Sequence, residues 1–196
     1  MDLDARAASL ATRLVAGPPE RCGQARLIDD AGFYAWWALP DALNAFDPKV
    51  PAAHPTGSPP HWSLLYVGIS PDSERGGSTV MARVRSHLEG KVERSTVRYT
   101  IAALMPSLNL SVVGTTPNRK KPRLATETPL TKWIEGHCWL TMTKEAAPWT
   151  PGLEERVIHI LRPPLNGTFS LHPFRATVVE ARGAMLARAR AASGDT

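Results

Sequence analysis

Two short runs, GFYAWWAL at 32–39 and LLYVGI at 64–69, restrict the fold of this chain more than any other stretch. Each combines aromatic and β-branched residues, which favour a pleated, half-buried surface, so each predicts a strand. Each also sets a tyrosine two residues from a glycine: Gly32 and Tyr34 in the first, Tyr66 and Gly68 in the second. Residues 40–62 between them hold six prolines, and proline has no N–H to give a sheet. That stretch predicts an irregular insertion bulging from an antiparallel hairpin.

The remaining elements follow from periodicity and punctuation. Leu3, Ala7, Leu10 and Leu14 recur at helical spacing behind Asp2, a candidate cap, and GPP stops the run. GGSTVMARVRSHLEG predicts a helix capped by Ser78 or Thr79, with Val80, Val84 and Leu88 inward and Gly90 at its end. STVRYTIAALM predicts another, capped near Ser95, with Val97, Ile101 and Leu104 on one face. PNRKKPRLATETP reads as a basic, polar loop, LTKWIEGH as a short helix and CWLTMT as a third strand. A helix around LEERVIHIL has Leu153, Val157, Ile160 and Leu161 as its apolar stripe and ends at Pro163. A last helix sets Phe174, Val178 and Ala181 inward. Two strands, then helices, with a late strand give an α+β fold: a small antiparallel sheet of about three strands flanked by helices. Three segments are expected: a lead-in at 1–31, a central domain at 32–166, and a C-terminal helix at 167–196 packing on that domain.

Composition narrows the function classes. No apolar run approaches the roughly 20 residues that span a bilayer, and the N-terminus carries acids where a signal peptide needs an apolar core, so no membrane partner is expected. Cys22 and Cys138 are too few and too far apart for a disulfide framework or a CxxC metal site, and a cytoplasmic location is the expectation. His54, His61, His137, His159 and His172 show no zinc spacing. The net charge of +5 favours an anionic partner, nucleic acid first. The clearest basic cluster is Arg119, Lys120, Lys121 and Arg123, suited to a phosphate backbone. Arg182, Arg188 and Arg190 form a weaker one.

With these residues in order, the chain resembles the GIY-YIG nucleases. Gly32-Phe33-Tyr34 matches the first signature, with Phe33 in place of isoleucine, and Tyr66-Val67-Gly68 matches the second. Arg83 matches the arginine on the helix after the second strand, Glu154 the later helix glutamate, and Asn166 the asparagine beyond a proline. Twelve residues separate Glu154 from Asn166, a spacing similar to that of repair nucleases in this family. Ser95-Thr96-Val97-Arg98 and HPFRA resemble an uncharacterised bacterial branch, which adds Arg98 to the nucleic-acid-binding candidates. Tyr34 and Tyr66 are 32 positions apart, where the family has a short hairpin loop.

The resemblance implies phosphodiester hydrolysis: Tyr34 as general base, Tyr66 as a positioning hydroxyl, Arg83 on the phosphate, and Glu154 holding Mg²⁺ or Mn²⁺. Gly32 and Gly68 would let backbone and DNA approach closely. Helix geometry bears on the rest. Arg83 and His87 share one flank of their helix, about 100° and 60° from Val84, which makes His87 a candidate donor to the phosphate or the leaving group. Glu154 lies about 60° from the stripe centre and Glu155 about 160°, so Glu154 borders the core and Glu155 faces solvent. Asn166 is a candidate to order the site loop or to touch DNA. The expectation is a metal-dependent endonuclease acting on DNA, with RNA left open. A homodimer or sequential nicking would supply a double-strand cut. The alternative is an inactive nucleic-acid-binding or protein-interaction module on the same fold.

Overall fold

Both tyrosine runs form strands, and they pair. The computed structural model of the chain describes residues 2–118 and 120–194. Helix α1 (Leu3–Val15) is followed by the two-residue strand β1 (Glu20–Arg21), β2 (Gly32–Ala38), a short 3-10 turn over Pro40–Ala45, and β3 (Ser63–Ser70). Then come α2 (Val80–Glu89), α3 (Thr96–Leu104), the hairpin strands β4 (Val112–Thr115) and β5 (Pro122–Leu124), α4 (Thr128–His137), β6 (Trp139–Lys144), α5 (Leu153–Leu161) and α6 (Arg175–Ala192). The main sheet has the order β1-β6-β2-β3, antiparallel throughout, and β4 pairs with β5 in a separate ribbon. The architecture is α+β, with the short β1 added to the three-stranded sheet that the alternation predicts and the β4–β5 ribbon beside it. Pro122 and Arg123 of the basic stretch begin β5, where the sequence pattern predicts a loop.

Helices cover both faces of the sheet. Tyr34, Trp36 and Tyr66 pack with Val80, Val84, Val97 and Ile101 on one side. Phe33, Ala35, Trp37 and Val67 pack with Leu10 and Leu14 of α1 and Val157 and Leu161 of α5 on the other. The central strands are therefore wholly buried, where a half-buried surface was expected, and this accounts for the crowding of aromatics in β2. Truncating a core aromatic of this kind costs about 3–5 kcal/mol.

Register decides which side chains meet. Tyr34 lies opposite Gly68 and Trp36 opposite Tyr66, so the two tyrosines share a face one diagonal step apart. A bulge follows: Trp37 pairs with Leu64, leaving Leu65 unpaired between Leu64 and Tyr66. Both glycines allow close approach within the sheet, as expected for the backbone. A side chain at Gly32 would place its Cβ 2.2 Å from the Thr143 carbonyl of β6, and one at Gly68 would place it 2.4 Å from the Tyr34 hydroxyl. Gly68 leaves the room in which the Tyr34 ring lies across β3.

Several local expectations change. Asp2 occupies the position before α1 without a side-chain capping bond, whereas Thr79 and Ser95 do cap α2 and α3. The buried stripe of α5 is Leu153, Val157, Ile158 and Leu161, and Ile160 is half exposed. That helix closes at Arg162, which adopts the left-handed conformation ahead of Pro163. Cys22 and Cys138 are free, buried and adjacent, the Cys22 amide donating to the Cys138 carbonyl as β1 meets β6.

Candidate active site

A cleft of about 300 Å³ opens where β2, β3, α2, α3, α5 and the segment after α5 converge, lined by Tyr34, Tyr66, Arg83, Thr96, Glu154 and Asn166 among others. Residues spread over 133 positions of sequence thus meet at one place. Strand register delivers the tyrosines, with ring centroids 6.5 Å apart. Helix α2 delivers Arg83, whose charge acts on the Tyr34 hydroxyl across the cleft wall. The first turn of α5 delivers Glu154. Glu155, on the same turn, has a side chain 46% exposed and lies 3.8 Å from His159.

His87 is fully buried rather than on the rim, which corrects its assignment as a donor to substrate. Its Nε2 lies 2.8 Å from the Tyr34 hydroxyl and its Nδ1 2.7 Å from Ser95 Oγ. Burial, and then the positive Arg83, Arg98 and Lys121, hold its pKa well below the ordinary histidine value, so the ring is neutral. Ser95 Oγ also accepts the Arg98 amide N–H that caps α3. The neutral imidazole thus bridges Ser95 and the Tyr34 hydroxyl, donating through one nitrogen and accepting through the other. Ser95, read from sequence only as a cap, also holds this buried ring.

The electrostatics are strained in a consistent direction. Burial first, then the neighbouring Tyr66, push the Tyr34 hydroxyl well above the ordinary phenol value against the pull of Arg83. Tyr66 is pushed up to about 12, chiefly by burial and by Glu154. Burial and Asp72 raise the Glu154 carboxyl above the usual carboxylate range. Among the described residues Glu154 has no hydrogen-bond or ion-pair partner, and Asp72 stands on the same wall of the cleft. A largely buried, unneutralised carboxylate beside a second one is the setting that hard divalent cations occupy, so this donor set fits Mg²⁺ or Mn²⁺.

Asn166 works on the backbone. Its Oδ1 accepts the Val67 N–H at 3.0 Å and its Nδ2 donates to the Val67 carbonyl at 2.8 Å. The Leu165 N–H also bonds the Leu65 carbonyl at 2.9 Å. The side-chain amide thus takes the place of a neighbouring strand along the outer edge of β3 and fixes the segment after α5 beside Tyr66.

The basic candidates separate. Arg98 is fully buried, which corrects its assignment to nucleic acid. It donates to the Leu88 carbonyl at 2.6 Å, Glu127 Oε2 at 2.9 Å and Thr131 Oγ1 at 2.8 Å, tying the end of α2 to α4. Lys120 is exposed, Arg123 lies 3.7 Å from Glu93, and Lys121 is half-buried, its pKa depressed by burial first and then by the positive Arg83 and Arg182. Arg119 lies outside the described residues. Asp72, Thr96 and Phe169 are not singled out by the sequence as site residues, and Arg182 figures only in the weaker basic cluster; Asp72 and Phe169 sit in segments without a periodic signal.

Among the described residues no helix is long and apolar enough to cross a membrane. Comparison with curated proteins and with solved structures finds no significant match. A family profile described as the GIY-YIG catalytic domain matches residues 32–183, from the first residue of β2 into α6. That match spans most of the chain and takes in every residue of the Tyr34, Tyr66, Arg83, Glu154 and Asn166 set, so the chain belongs to the GIY-YIG family of nucleases.

Proposed function

We propose that the chain is a metal-dependent endonuclease that hydrolyses DNA phosphodiester bonds in this cleft. The observation that carries the reading is the meeting of Tyr34, Tyr66, Arg83 and Glu154 at one opening, with a phenol, a guanidinium and an unneutralised carboxylate facing the same space. Arg83 stays charged at every working pH, and its planar fork suits the equatorial oxygens of a pentacovalent phosphate. Tyr34 would act as the phenolate, its own proton lost to solvent under the pull of Arg83 and a bound cation, and would then take the proton of the attacking water, its oxygen held beside His87 Nε2. Tyr66 orients water or phosphate from the neighbouring strand. Ser95 and His87 hold the Tyr34 hydroxyl in position, and Asn166 holds β3. Glu154 would bind the cation, with Asp72 beside it. A divalent ion there supplies neutralisation of phosphate charge and lowers the pKa of nearby oxygens. A double-strand cut would use two such clefts in a homodimer, or one cleft twice. The buried free thiols of Cys22 and Cys138 suit a reducing compartment, and we read the location as cytoplasmic.

The test is a plasmid-nicking time course in Mg²⁺ or Mn²⁺, with and without EDTA. Glu154→Gln keeps shape and removes charge, and should slow nicking on the order of 100-fold or more while DNA binding persists. Glu155→Gln should cut like the parent. Equal rates for the parent and Glu154→Gln would refute the metal assignment. A parent that binds DNA but never cuts it would refute the enzyme.

A further inference from the structure

The proposed reaction uses one cation, Arg83, yet two more lie close to the cleft without lining it: Arg182 on α6, and Lys121 on the β4–β5 hairpin that packs against α6. Arg182 reaches over from α6. Its Nε donates to Thr100 Oγ1 at 2.9 Å and its Nη2 to the Thr96 carbonyl at 3.3 Å, and the guanidinium lies 5.7 Å from the Tyr99 ring centroid. Those contacts fix the group but leave Nη1 without a partner among the described residues. Nη1 opens over Gly167, a residue of the cleft wall, where an added Cβ would lie only 2.5 Å from it. Lys121 comes from the β4–β5 hairpin, half-buried. Among the described residues its ammonium makes no hydrogen bond or ion pair, and both Arg83 and Arg182 press its pKa down. Arg83 has Asp72 and Glu154 within electrostatic reach, whereas no carboxylate acts on Lys121 or Arg182. Holding like charges together, partly desolvated, is unfavourable unless an anion joins them. Arg83 is occupied by the reacting phosphate. Lys121 and Arg182 are left with no role in that chemistry.

We infer that Lys121 and Arg182 form a second phosphate subsite, which takes the phosphate adjoining the one that is cut. The inference rests on the phosphodiesterase reading of the cleft and deepens it: the preferred substrate is a strand with consecutive phosphates, held from α6 and the β4–β5 hairpin. Arg182 serves as a preset donor, since its other nitrogens are already anchored, and Lys121 closes from the facing side. Gly167 keeps the passage to Nη1 open.

The probes are thymidine 5′-monophosphate, with one phosphate, and thymidine 3′,5′-bisphosphate, with two phosphates one nucleoside apart. Their binding is measured by calorimetry in EDTA, so that neither metal nor hydrolysis enters. The parent should bind the bisphosphate about tenfold or more tightly than the monophosphate, as expected for one additional charge-assisted contact. Lys121→Gln and Arg182→Gln should each remove most of that preference and leave monophosphate affinity unchanged. Arg83→Ala should weaken both ligands. A parent that does not discriminate, or variants that keep the full preference, would overturn the subsite. If Arg182→Gln fails to fold by circular dichroism, Lys121→Gln decides alone, because that side chain holds nothing else in place. A preference that behaves as expected in a protein that cuts no DNA would retain the subsite and overturn the nuclease reading, so the two failures are distinguishable.

Discussion

Gly68→Ala is the smallest change that should disable the cleft. The new methyl would sit 2.4 Å from the Tyr34 hydroxyl oxygen, 2.6 Å from Cζ and 3.0 Å from Cε2. Comfortable contact requires roughly 3.5–4.0 Å, so the ring has to retreat by about 1 Å. It cannot swing freely, because its oxygen is bonded to His87 at 2.8 Å and the strand beneath it is buried on both faces. Overpacking of this order costs about 1–3 kcal/mol of stability. The catalytic effect should be larger, because a displacement of about 1 Å at a reacting group can cost about 100-fold in rate. The assay pairs urea denaturation with plasmid nicking in Mn²⁺, at a temperature where parent and variant are both fully folded. The expected result is a loss of 1–3 kcal/mol, as for overpacking, with nicking reduced on the order of 100-fold. A variant that nicks at the parent rate would refute the placement of Tyr34 against Gly68 as the geometry that catalysis needs. A variant that loses stability but keeps its folded-state rate would refute the role of Tyr34 as base.

Arg98→Ala should destabilise by about 3–5 kcal/mol, since it removes one partner of a buried ion pair and leaves Glu127 and two α2 carbonyls unmatched; denaturant midpoints check this, and a loss under 1 kcal/mol would overturn the structural role. His87 gives a pH dependence whose sign is fixed. Its folded pKa lies below the unfolded value of about 6.5, so below that pH the unfolded chain binds the extra proton and stability falls as pH falls, by at most about 1.4 kcal/mol per unit. Denaturation at pH 7.5, 6 and 5 should show that slope in the parent and a shallower one in His87→Gln; equal slopes would contradict a buried neutral ring.

The parts of the site visible in the sequence are those on regular elements. Period-two strands allow Tyr34 and Tyr66 to share a face, and the register of β2 with β3 puts them there. Helical angles separate Glu154 from Glu155 even though the apolar stripe turns on Ile158 rather than Ile160, because the shift moves the stripe centre by less than the difference between the two glutamates. The misreadings share a cause: a charged or polar residue was assigned by its type, and tertiary partners decided its place. Arg98 reads as a surface cation until Glu127 and Thr131 of α4 enclose it. His87 reads as a rim donor until Ser95 takes its second nitrogen. The β4–β5 hairpin carries little local signal, since its strands are short, contain Gly114 at φ 146° and are held by α6 through the Thr115 amide bond to Ser193.

The bulge at Leu65 works as a phase shifter. In an uninterrupted hairpin, a one-residue change in the connection would turn every following side chain to the opposite face. Here Leu65 and Tyr66 face the same side, so the alternation is reset immediately before the catalytic strand segment. The emergence of Tyr66 is then governed by its pairing with Trp36 and by the amide of Asn166 on Val67, and not by the length of residues 40–62. The first half of the proline-rich segment is tied to the same core through Leu43, Phe46 and Val50, while its exposed second half, around residues 54–61, can lengthen or shorten with the tyrosine keeping its handedness.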